Sequence, residues 1–150
     1  MNEATKAPWH LWVLGIVSLI WFAGGANDYY QTKTGNMDYL GMAAEGSGIP
    51  LDVMVDYFAA YPTWATIAWA LGVWGAVAGS LLLLFRSRFA IFGYIASVVG
   101  LIVSMAYTLT ADMPAAMNSA GMWIFTAVIW LSLIGMAYYA KRMTAAGVLR

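Results

Sequence analysis

Hydrophobic and polar positions along this chain fall into long blocks rather than a short alternation. Four uncharged runs, Trp9 to Ala26, Phe58 to Phe85, Phe89 to Ala111 and Met113 to Ala140, are separated by segments that hold the charge. A hydrocarbon core of roughly 30 Å takes about 20 helical residues to cross, and each run can supply enough. Lipid offers no partner for backbone N–H and C=O groups. The runs also lack the alternation of barrel strands, so helices are expected. The pattern predicts an all-α membrane protein, a single four-helix transmembrane domain over residues 1–150 with spans of about 9–26, 62–85, 89–110 and 117–140.

Between the first two spans the pattern changes. Pro50 suits a first helical turn, after which Leu51, Met54, Val55 and Phe58 form one face and Asp52 and Asp56 the other. This predicts a short interfacial helix lying on the membrane surface in the first external loop. Asn36 is placed to cap another short turn through Met37, Tyr39 and Leu40, and Gly46-Ser47-Gly48 breaks structure between the two.

Composition agrees with the blocks: 63% of the 150 residues are hydrophobic and 9% charged, too much apolar surface for one soluble core of this size. Seven basic and seven acidic residues cancel, so neither nucleic acid nor a polyanion is an expected partner. The distribution is more telling than the sum. Lys6, Arg86, Arg88, Lys141, Arg142 and Arg150 fall on one side of the spans, with Glu3; Lys33 falls on the other with Asp28, Asp38, Glu45, Asp52, Asp56 and Asp112. Basic residues at span ends stay cytoplasmic, which predicts that both termini and the Arg86-Ser87-Arg88 turn lie on the cytoplasmic side. A competing reading makes the first span a signal peptide, with Lys6 before it and Gly24-Gly25-Ala26 as a cleavage pattern. Trp9, Trp12 and Trp21 favour an anchored helix with rings near both interfaces.

Candidate chemistry is sparse. The absence of cysteine excludes disulfides, iron–sulfur clusters and thiolate metal sites, and the single histidine, His10, excludes haem held between two histidines. No cofactor or metal is expected. His10 beside Trp9 reads either as an interfacial residue or as a ligand to a metal or pigment. No acid or base lies in the middle of a span, which disfavours ion-coupled transport, and no nucleophile–base set appears, so an enzyme is not expected. Asn27, Asp28, Tyr29 and Tyr30, at the expected outer end of the first span, place a carboxylate beside phenols. With Asp112 in the other external loop they are the candidate ligand-binding residues, the alternative being ordinary hydration at a helix end. Gly72, Gly75 and Gly79 in the second span and Gly93, Ser97 and Gly100 in the third are the candidate packing residues. The Gly75–Gly79 spacing allows close helix approach, either between copies of the chain or within one bundle. Trp64, Trp69 and Trp74, five apart, do not share a helix face.

Pro8-Trp9-His10-Leu11-Trp12-Val13, Tyr61-Pro62-Thr63-Trp64, Trp69 to Gly75, Gly79 to Leu84 and the ending Tyr139-Ala140-Lys141-Arg142-Met143 to Gly147-Val148-Leu149-Arg150 resemble a family of small four-helix bacterial membrane proteins. Members commonly carry a sugar-transporter label. The likeness spans nearly the whole chain and implies the same fold and inner-membrane location. The sequence departs from the family in the extended Gly46-Ser47-Gly48-Ile49-Pro50 loop. Together these features lead to an expected accessory or scaffold protein, a homo-oligomer or part of a larger membrane complex. The alternatives are a passive facilitator or binder of a neutral, sugar-like solute and a binder of quinone or pigment.

Overall fold

The computed structural model describes residues 6–150; Glu3, assigned above to the basic end, lies outside them. The described residues form six helices: α1 (Trp9–Lys33), α2 (Met37–Ser47), α3 (Leu51–Ala59), α4 (Thr63–Leu84), α5 (Ala90–Thr110) and α6 (Ala120–Ala145). Four of them, α1, α4, α5 and α6, are long and apolar enough to cross a membrane, so this is an all-α, multi-pass membrane bundle.

Two boundaries differ from the expectation. α1 does not end near Ala26 but continues to Lys33, because nothing in Asn-Asp-Tyr-Tyr-Gln-Thr-Lys breaks a helix before Gly35, whose φ of 67° ends it. α6 begins at Ala120 rather than near 117, where Ser119 caps it by accepting from the Met122 backbone N–H at 3.2 Å, and it runs past 140 to Ala145. The segment between the first two spans holds two helices rather than one. Asn36 accepts from the Tyr39 N–H at 3.2 Å and starts a full helix, α2, which closes at Gly48 with φ 69°. The apolar stripe of α3 is spent on this neighbour: Met54, with Leu51, Val55 and Phe58, packs against Leu40 and Ala44 of α2. Met54 is buried there, while Leu51, Val55 and Phe58 stay partly exposed.

The helices form a row, α1 against α4, α4 against α5, α5 against α6, and the tightest seam is α4–α5. Small residues set it. A Cβ on Gly93 would stand 2.6 Å from the backbone nitrogen of Gly79, one on Gly75 2.9 Å from that of Ser97, and one on Gly100 would collide with the nitrogen of Gly72. The two backbones are in direct contact, as small-residue membrane crossings permit. The Ser97 hydroxyl donates across the seam to the Gly72 carbonyl, and fully buried Tyr94 lies 3.0 Å from the Ser80 hydroxyl. Gly72, Gly75, Gly79, Gly93, Ser97 and Gly100 therefore meet one another inside one bundle.

One end of the bundle gathers the start of α1 and the C-terminal tail. Val148 and Leu149 are buried there with Leu11, Leu83, Ala90 and Ala140. The Arg150 N–H donates to the Arg86 carbonyl at 2.8 Å and the Arg88 N–H to the Arg150 carbonyl at 2.9 Å, tying the tail to the α4–α5 turn. Arg86, at φ 57°, also donates from its guanidinium to the Val148 carbonyl at 3.1 and 3.2 Å. Helices α2 and α3 cover the opposite end.

Candidate functional site

Because α6 packs on α5 and reaches α1 chiefly through long side chains, the bundle is not closed along its whole length. His10 Nδ1 lies 2.6 Å from the Tyr139 hydroxyl near the termini, and the Trp21 indole N–H donates to Ser132 Oγ at 3.1 Å farther along. Between these bridges and the α2–α3 end lies a cavity of about 550 Å³, a size that houses drug-sized ligands.

Each long helix gives this cavity one stripe. Trp21, Gly25 and Asp28 come from α1; Ala68, Gly72 and Ala76 from α4; Ser97, Gly100, Leu101 and Ser104 from α5; Phe125, Ile129 and Leu133 from α6. Spacings of three and four put each set on a single helix face. Gly24 and Gly25 open the α1 wall. A Cβ on Gly24 would meet nothing within 4 Å, and one on Gly25 only Val73 Cγ1 at 3.9 Å. Most of the lining is apolar, with Trp21, Phe22, Trp69 and Phe125 supplying rings.

The polar end is built by Asp28 and Tyr39. The Tyr39 hydroxyl, carried in from α2, donates to Asp28 Oδ1 at 2.9 Å, and both residues line the cavity. Burial first, then the hydrogen bond to and charge of Asp28, pushes the Tyr39 phenol up to about 12. Tyr39 is the partner that the carboxylate has; no cation among the described residues pairs with it. The nearest basic residue on α1 is held elsewhere: Lys33 Nζ donates to the Phe58 carbonyl at 3.4 Å and lies 5.2 Å from the Tyr61 ring centre and 5.9 Å from that of Trp69.

That lysine belongs to an aromatic cluster at the α2–α3 end. Trp69 stacks on Phe58 at 5.4 Å and meets the edge of Tyr29 at 5.1 Å, while Tyr61 packs on Tyr107 at 4.6 Å. Trp69 belongs both to the cluster and to the cavity lining. Trp64 and Trp74 are half exposed on the lipid-facing surface, so the three tryptophans of α4 do separate, as their spacing requires.

Of the candidate ligand-binding residues, Asp28 alone lines the cavity. Asn27 is exposed and accepts from Gln31 at 3.4 Å, Tyr29 is committed to Trp69, and Tyr30 is exposed. Asp112 is exposed in the α5–α6 connection and does not line the cavity. Four consecutive helical positions necessarily point in four directions, so they do not form one cluster. Gly72, Ser97 and Gly100 serve both seam and cavity. Tyr39, Trp21 and Phe125 also line the cavity, and no local sequence pattern marks them, because they converge only when α2 and α6 dock. A second apolar cavity, of about 540 Å³, lies on the other side of Trp21 and Phe22 between α1 and α6, with Ser18, Met136 and Tyr139 in its wall. Among the described residues no group of acids and histidine is arranged to hold a metal ion.

Comparison with family models, curated proteins and solved structures finds no match to this chain.

Proposed function

We propose that this protein binds a small amphipathic molecule within the membrane, the apolar body lying between α1, α4, α5 and α6 and the polar group reaching Asp28 and Tyr39. The observation that carries this reading is the cavity itself: a largely apolar space of drug-like size with one convergent polar pair at its end. Among the expected roles, this favours the solute or quinone binder over a purely structural one, since packing alone gives no reason to leave such a space beside a carboxylate. The test is whether a bound amphiphile leaves the membrane with the wild-type protein and not with Gly25→Leu, which fills the cavity from an open position.

A second reading, an accessory subunit, draws on α6. Its Ile124, Leu131, Ile134 and Tyr138 are all more than half exposed, a broad face available to lipid or to another membrane helix. A stoichiometric protein partner in the same extraction would favour it.

We also infer the orientation. The start of α1, the C-terminal tail and the Arg86–Arg88 turn share one end of the bundle, and that end carries the basic residues Arg86, Arg88, Lys141, Arg142 and Arg150. The retention of basic flanks in the cytoplasm supports placing that end inside a bacterial inner membrane and the α2–α3 cap outside.

A further inference from the structure

We propose that the ligand is a lipophilic amine: a protonated amino group held at Asp28, with an apolar, ring-containing body in the cavity. The inference rests on the binding role assigned above and narrows it to one chemical class.

Asp28 lacks a cationic partner among the described residues. A carboxylate facing an apolar intramembrane space is costly, and such groups normally pair with a cation or face water. Here its hydrogen-bond partner is a neutral phenol, which stabilises one oxygen, Oδ1, and contributes no positive charge. Lys33, five residues along the same helix, is turned away into the rings of Tyr61 and Trp69 and onto the Phe58 carbonyl. The negative charge is therefore left for something that enters the cavity.

Trp21, Phe22, Trp69 and Phe125 line this space and suit an apolar, ring-containing body. Of the two serines in the lining, Ser97 already donates its hydroxyl to the Gly72 carbonyl, and Ser104 offers a hydroxyl that carries no charge. Anionic ligands are repelled by Asp28, and a molecule that only accepts hydrogen bonds finds no free donor at the pair, because the Tyr39 proton is already given to Asp28. A neutral alcohol can donate to the carboxylate but leaves its charge uncompensated. An ammonium group on an apolar body satisfies the hydrogen bond, the charge and the aromatic walls together.

The matched pair 4-phenylbutylamine and 4-phenylbutanol tests this. Binding of each is followed by tryptophan fluorescence of the full chain in nanodiscs of phosphatidylcholine at neutral pH, where the amine is protonated, with empty nanodiscs subtracted. The expected result is an amine affinity about tenfold or more above that of the alcohol. That preference is lost in Asp28→Asn and kept in Asp28→Glu, a contrast that reports charge rather than folding. Equal binding of both probes to the wild type, abolished in Gly25→Leu, would overturn the amine assignment and leave the cavity as a binding site for neutral amphiphiles. An amine preference that persists in a folded Asp28→Asn protein would also overturn it. Binding of neither probe above the level seen with Gly25→Leu would overturn both this inference and the binding role. The amine-to-alcohol ratio in the wild type decides the matter even if Asp28→Asn fails to fold.

Discussion

Gly93 of α5 lies so close to Gly79 of α4 that a Cβ on the former would come within 2.6 Å of the latter's backbone nitrogen. No side-chain rearrangement can relieve such a contact, since the obstacle is backbone. Gly93→Leu and Gly100→Leu are therefore expected to cost at least the 1–3 kcal/mol typical of overpacking, roughly, and to lower the melting temperature in mild detergent. Gly72 behaves differently. Its Cβ would sit 3.6 Å from the nearest atom, an ordinary contact, so Gly72→Ala should leave melting unchanged or raise it slightly through helix propensity. Equal melting of Gly93→Leu and the wild type would show that α4 and α5 are not packed this way.

The Tyr39–Asp28 bond has a pH signature. The phenol is held at about 12, above its ordinary 10.0, so the folded state keeps its proton more tightly than the unfolded state. The stability this contributes is complete below pH about 10 and is lost as pH rises toward about 12. In an ultraviolet titration, the difference between wild type and Tyr39→Phe should show a phenol ionising near 12. A difference curve centred on 10 would mean that Tyr39 faces water and does not close the cavity.

Much of this architecture can be read from the order of residues alone. The four spans are legible because lipid allows only helices of a minimum length, and the uncharged runs had that length. The α4–α5 seam is legible in its residue types, since the spacing of Gly72, Gly75 and Gly79 is complementary to that of Gly93, Ser97 and Gly100. Two things were not. α1 runs on through Asn27 to Lys33 because a polar stretch need not break a helix; only Gly35 carries the stop signal, and it lies beyond the apolar run. The pairing of Asp28 with Tyr39 spans a helix reversal, and a distance across such a turn is set by docking rather than by local pattern. So Asp28 stood out in the sequence as a carboxylate near a helix end, while its partner and its cavity did not.

The orientation prediction uses two exposed positions at opposite ends. Ser47→Cys, at the end of α2, should react with an impermeant thiol reagent added to intact cells, and Ala145→Cys, at the end of α6, should be protected until the membrane is broken. Labelling at 145 in intact cells with protection at 47 would invert the topology.

The binding role of the cavity is tested most directly by what leaves the membrane with the protein. Wild type, Gly24→Leu and Gly25→Leu are extracted with a nanodisc-forming polymer, purified, and their small molecules recovered into solvent and weighed by mass spectrometry. The two substitutions project into open cavity space and replace glycine by a better helix former, so both variants should melt no lower than the wild type. The expected result is a small amphiphile at near one per wild-type chain that is depleted from both variants while bulk lipid is unchanged. The same small-molecule profile from all three proteins, at equal melting temperature, would contradict a ligand in this cavity.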